Sequence, residues 1–92
     1  MLKHIENKMR NIQIEKNVLV YCSKNTRGEV VIPNGVVKIE DFAFRRCQLM
    51  TSVIIPEGVT EIGCGAFSGC ARLESIVIPS SVTEIGESAF CY

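Results

Sequence analysis

Apolar residues recur along most of this chain at a fixed spacing of 23 positions. "IPNGVVKIEDFAF" starts at Ile32, "IPEGVTEIGCGAF" at Ile55 and "IPSSVTEIGESAF" at Ile78. Ile32, Ile55 and Ile78 each precede a proline, at Pro33, Pro56 and Pro79. Val36, Val59 and Val82 follow, then Ile39, Ile62 and Ile85, then Phe44, Phe67 and Phe90, each after an alanine. Cys47 and Cys70 share a slot that the third copy does not reach. A fixed period of about 20–50 residues marks stacked repeats. One such coil cannot bury its own apolar side chains, and stacking coils makes a continuous core. The fourteen residues named by these slots, Ile32 through Phe90 with Cys47 and Cys70, are the expected core.

Each coil divides into short pieces. "VVIP", "VIIP" and "IVIP" are β-branched runs that favour strands. Proline lacks an N–H and fixes φ, so it ends the strand and turns the chain. Equivalent strands are expected to pair in parallel, about 4.8 Å apart. "VTEIG" is too short for a helix and reads as an extended return. "CGAF" and "ESAF" read as single helical turns on the convex side, with phenylalanine filling the interior. Gly63 and Gly86 are expected to supply φ values that other residues resist, and Glu40 departs from that slot. The fold class is thus α/β: a solenoid of short parallel strands and single helical turns.

The strand–proline unit, the V-x-x-I-G spacing and A-F-x-x-C, with Leu73 three residues past Cys70, resemble the BspA-like leucine-rich repeat family. The resemblance covers about residues 28–92. Glu40 for glycine, Met50 where the next coil has Leu73, and the absent last cysteine depart from it. The resemblance implies surface display, adhesion and contact with a host or matrix, and a cell-surface or secreted parent protein.

"NIQIEKNVLVYCS" alternates apolar and polar residues on both sides of "EKN". That predicts a β-hairpin turning at Lys16 and Asn17. Terminal coils expose apolar edges, so a hairpin over residues 11–27 would cap the first coil. A hairpin before the first repeat is also what the resemblance implies. Residues 1–10 read as a short amphipathic helix or a frayed extension, and 28–92 as three repeats, the last incomplete. The stop at Tyr92, inside a coil, suggests a fragment of a longer array or a chain that self-associates through its C-terminal edge.

Composition narrows the function. Hydrophobic residues make up 47% and charged residues 22%, as in a folded domain and unlike a disordered chain. Formal net charge is zero, so no global field points to nucleic acid or anionic lipid. Residues 1–28 carry six Lys or Arg against two Glu, and 29–92 carry four against eight Asp or Glu. The basic segment is a solvated extension or an attractor of an acidic partner. No run of apolar residues is long enough to span a membrane, and the first ten residues lack the core of a signal peptide.

Chemistry is sparse. Five cysteines occur without a CxxC pair, and the one histidine is His4, so no metal site or cofactor is expected. Cys47 and Cys70 read as stacked buried thiols, with a bridge between them sterically conceivable; Cys64 and Cys91 read as the exposed, more reactive pair. One histidine supports no catalytic triad, and Glu61 and Glu84 read as stacked like charges, so an enzyme is not expected. Arg45, Arg46 and Arg72 do not interleave with aromatics in sequence, which argues against nucleic-acid binding.

One surface stands out. If Val30 and Ile32 face inward, Glu29 and Val31 face outward, as do Ser52 and Ile54, and Ser75 and Val77. Val31, Ile54 and Val77 then form an aliphatic stripe with a polar rim, a pattern common at interaction surfaces. The alternative is that β-branched residues stand there for strand propensity alone. The expected function is a protein- or peptide-binding module centred on Ile54. The alternative is a structural element that self-associates.

Overall fold

The computed structural model describes residues 11–91. The expectation for residues 1–10, with His4, lies outside them. Eight strands form in chain order: β1 (Ile12–Glu15), β2 (Val18–Cys22), β3 (Gly28–Val31), β4 (Lys38–Ile39), β5 (Met50–Ile54), β6 (Glu61–Ile62), β7 (Ser75–Val77) and β8 (Glu84–Ile85). They make two sheets, one in the order β3-β5-β7 and one in the order β1-β2-β4-β6-β8. All pairings are parallel except the β1–β2 hairpin.

The 23-residue period becomes register. Val30 pairs with Val53 and Val53 with Ile76; Ile39 pairs with Ile62 and Ile62 with Ile85. The prolines follow the first sheet, and the ladder runs one residue further, with the Ile32 N–H donating to the Ile54 carbonyl at 3.0 Å. Pro56 to Val59 then closes a turn, its third residue Gly58 at φ 105°. That is the type II turn, which needs glycine at this point. Ser81 replaces glycine in the last coil, and its Oγ accepts from the Gly58 N–H at 3.1 Å and donates to the Val59 carbonyl at 2.7 Å.

The α/β expectation is corrected in its α part: the described residues contain no helix. The segments after Glu40 and Gly63 are runs of tight turns. Ala43, Arg45 and Cys47 donate to the carbonyls three residues back, Glu40, Phe42 and Phe44. Phe42, Phe44 and Arg46 instead donate to the next coil, to the carbonyls of Cys64, Ala66 and Ser68, at 3.0, 2.7 and 2.8 Å. A helix would direct every N–H along its own axis. Here alternate N–H groups tie one coil to the next.

The expected glycine role is also corrected. Gly63 and Gly86 do not have positive φ. Their slot needs space, since a Cβ at Gly63 would strike the Asp41 backbone and one at Gly86 the backbone of Cys64 and Gly63. Positive φ occurs instead at Gly28, Gly35, Gly58, Gly65 and Gly69.

The hairpin turns at Lys16 (φ 51°) and Asn17 (φ 66°), left-handed at both positions as a type I′ turn requires. Its second strand lies along β4, with Val18 opposite Lys38 and Leu19 opposite Ile39, an offset of 20 residues rather than 23. Leu19 is fully buried there.

Of the expected core, Ile32, Val36, Ile39, Phe44, Cys47, Ile55, Val59, Ile62, Phe67 and Cys70 are buried. Val82 and Phe90 are partly buried against the core. Ile78 and Ile85 are not core residues here: they are 39% and 52% exposed, because no described coil stacks over the third. Phe44, Phe67 and Phe90 form a stacked column, with centroids 4.7 and 5.4 Å apart and rings within 12° and 9° of parallel.

Candidate functional site

The β3-β5-β7 sheet has a buried and an open face. Val30 and Val53 point into the core. Strand alternation turns their neighbours outward. Glu29, Ser52 and Ser75 stand in one row, and Val31, Ile54 and Val77 in the next. Val31 and Val77 are 59% and 56% exposed, while Ile54, between them, is half-buried. The six residues named from sequence therefore lie together on one surface. Its only charged member is Glu29, so apolar contact and serine hydroxyls dominate what it offers.

The other sheet is held by polar ladders at the coil period. Thr60 Oγ1 donates to the Val37 carbonyl and Thr83 Oγ1 to the Thr60 carbonyl, each at 3.3 Å. Lys38 Nζ lies 3.6 Å from Glu61 and 3.7 Å from Glu40. Glu61, then Glu40, holds its ammonium above the ordinary lysine range. Glu61 and Glu84 stack in register, as like charges. Beside them lies an open depression of about 480 Å³, lined by Asp41, Glu61, Cys64, Thr83 and Glu84 among others. The sequence implies no such depression. Asp41 is engaged in it, with Oδ1 accepting from the Cys64 N–H at 2.9 Å. Among the described residues, no group of three His, Cys, Asp or Glu side chains is placed to hold a metal ion.

The thiols form a column of three, not two. Cys22, Cys47 and Cys70 are all buried and free. Cys70 Sγ donates to the Phe44 carbonyl at 3.0 Å, and Cys47 Sγ to the Cys22 carbonyl at 3.6 Å. Cys22 escapes the sequence pattern because it lies 25 residues before Cys47, off the 23-residue period. Burial pushes the Cys70 thiol up to about 11. Cys22 and Cys47 titrate as a pair: the interaction between their side chains, and then burial, push Cys47 up, and the same interaction draws Cys22 down. Cys64 and Cys91 are exposed. An aromatic disulfide reagent at mildly alkaline pH is expected to modify Cys64 and Cys91 rapidly, and the other three only after denaturant is added. Fast modification of a third thiol in the native chain would contradict the buried column.

A second surface cluster was not foreseen. Arg45 meets an aromatic in space, its guanidinium lying over the Phe42 ring. Tyr21, Lys24, Phe42, Arg45 and Arg46 line one groove. The pairing of β2 with β4 brings the hairpin residues beside the first turn run. The sequence signal lay in the repeat itself: Phe42 and Arg46 occupy slots that the next coil fills with Gly65 and Gly69.

Repeat strands paired in parallel at a 23-residue register in two sheets, tied by tight turns and a phenylalanine column, define a repeat scaffold with an open strand face. The family model described as BspA type leucine-rich repeat region (6 copies) matches residues 12–92, hairpin included, and the chain belongs to that family. Comparison with curated proteins gave no match. Among the described residues no helix is long and apolar enough to cross a membrane.

Proposed function

We propose that this chain is a protein-binding module whose recognition surface is the strand face of Val31, Ile54 and Val77, rimmed by Glu29, Ser52 and Ser75. The observation that carries the reading is the row of outward aliphatic side chains in parallel register. Family membership supports an interaction or adhesion role, since this repeat region is generally a scaffold rather than a catalyst. It also associates the chain with bacterial surface or secreted proteins, so the partner class is a protein or peptide met at a cell surface.

Peptides selected from a random display library against the chain supply the test. Ile54→Asp places a charge at the centre of the stripe and is expected to weaken the selected peptides about tenfold or more, as loss of a central anchor does. The amide spectrum of the variant is expected to stay folded, because Ile54 lies outside the core. Unchanged affinity in a folded Ile54→Asp chain would overturn the assignment.

A second reading, self-association through the last coil, draws on the exposed Ile78 and Ile85. Light scattering over a concentration range separates the two. A monomer throughout favours the strand face as a free surface; a dimer lost in Ile85→Asp favours the edge.

A further inference from the structure

We propose that the groove of Tyr21, Lys24, Phe42, Arg45 and Arg46 is a second recognition site, for a short acidic protein segment with clustered carboxylates. It is separate from the strand face and does not depend on it.

The groove is about 280 Å³ and joins the hairpin to the first coil. Its three cations are exposed, and among the described residues none lies within ion-pair distance of a carboxylate. Arg45 is already arranged. Its guanidinium lies over the Phe42 ring, 5.7 Å from the centroid, a cation–π contact that restrains the side chain. The ring in turn rests against Gly65, where any Cβ would strike it. An arginine held in this way loses little freedom on gripping a carboxylate.

Backbone cost points to the same residues. Phe42 (φ 59°) and Arg46 (φ 60°) both have left-handed backbone, and the equivalent positions one coil on are Gly65 (φ 60°) and Gly69 (φ 76°). Bulky residues in that region are uncommon and costly. The first coil thus keeps an aromatic and a cation where glycine would relieve the backbone, and both line the groove.

The shape of the charge selects the occupant. The Arg46 N–H donates to the Ser68 carbonyl, which sets the column Arg45–Ser68 and Arg46–Gly69. In these two slots the cations therefore stop after one coil, and Arg72 is the single cation of the second. A nucleic acid or long polyanion needs a continuous basic track and free aromatic faces. Here the track is short, and Phe42 has Gly65 and Arg45 against its ring. A few carboxylates on a peptide fit the local charge and end where it ends.

The test is titration of the full chain, labelled for amide spectra, with a peptide of alternating glutamate and glycine. Heparin and oligothymidylate at equal charge are the comparison ligands. Saturable shifts centred on Tyr21, Lys24, Phe42, Arg45 and Arg46, weakened by salt, are expected. Lys24→Glu with Arg45→Glu should reduce affinity about tenfold or more, as reversal of paired charges does, while Ile54→Asp leaves it unchanged. Phe42→Gly, in a slot where the next coil has glycine, should stay folded and also bind more weakly. No saturable binding, shifts mapped elsewhere, undiminished binding by the charge-reversed chain, or tighter binding of either comparison ligand would overturn the proposal.

Discussion

Phe67→Ala is expected to destabilise the chain by about 3–5 kcal/mol, the range for deleting a buried aromatic side chain. Phe67 is fully buried and stacks on a ring above and a ring below. Removing it opens a void in the middle of the column and deprives both neighbours of a stacking partner, worth about 0.5–1.5 kcal/mol each beyond burial. A domain of this size holds roughly 5–15 kcal/mol in total, usually near the lower end. The variant should therefore be partly unfolded at physiological temperature, with a much lower urea midpoint by circular dichroism. Phe90→Ala should cost clearly less, because Phe90 is only partly buried and stacks on one side. Equal midpoints for the two variants would mean that the column is not what joins the coils.

The second large effect belongs to the close-packed glycines. Gly63→Ala and Gly86→Ala are each expected to cost about 1–3 kcal/mol or more, as overpacking does when the obstacle cannot turn away. At Gly86 the obstacle is wholly backbone, the Cys64 N and Cα and the Gly63 carbonyl carbon. At Gly63 it includes the Asp41 backbone. Relief requires neighbouring coils to separate, which lengthens the Gly63-to-Ile39 and Gly86-to-Ile62 hydrogen bonds, now 2.9 and 2.8 Å. Gly58→Ala is the control: nothing lies within 4 Å of its Cβ, and only its φ of 105° resists substitution. Thermal unfolding of the three variants checks this. A larger loss for Gly58→Ala than for Gly86→Ala would show that conformation, not space, governs the slot.

Much of the architecture was legible in the repeat. The slots of Ile39, Phe44, Val59 and Phe67 named the core because a residue that recurs at the coil period must stack on its own copies. The Lys16–Asn17 turn was legible because alternation on both sides left only a hairpin. What failed did so for physical reasons. "CGAF" looks helical in isolation, but the donors of Gly65 and Phe67 are taken by the carbonyls of Glu87 and Ala89 in the next coil. Gly63 looked like a φ requirement because sequence does not report how near Asp41 comes. Ile78 and Ile85 share core slots yet remain exposed, since no described coil stacks over the third.

The candidate surfaces divided in the same way. The strand face could be read by parity alone, since Val31, Ile54 and Val77 follow from knowing that Val30 faces inward. The basic groove could not, because it depends on β2 lying at a 20-residue offset and setting Tyr21 and Lys24 beside Phe42. Cys22 joins the thiol column from 25 residues before Cys47, again off the 23-residue period. Irregularities at the hairpin junction therefore hide whatever a strict period does not describe.

The most direct test of the central claim is a methyl-labelled titration with a library-selected peptide, following Val31, Ile54 and Val77 beside Ile78 and Ile85. The account predicts saturable shifts at the three strand-face methyl groups, with Ile78 and Ile85 nearly unmoved. Shifts confined to Ile78 and Ile85 would contradict it and make the edge of the last coil the working surface.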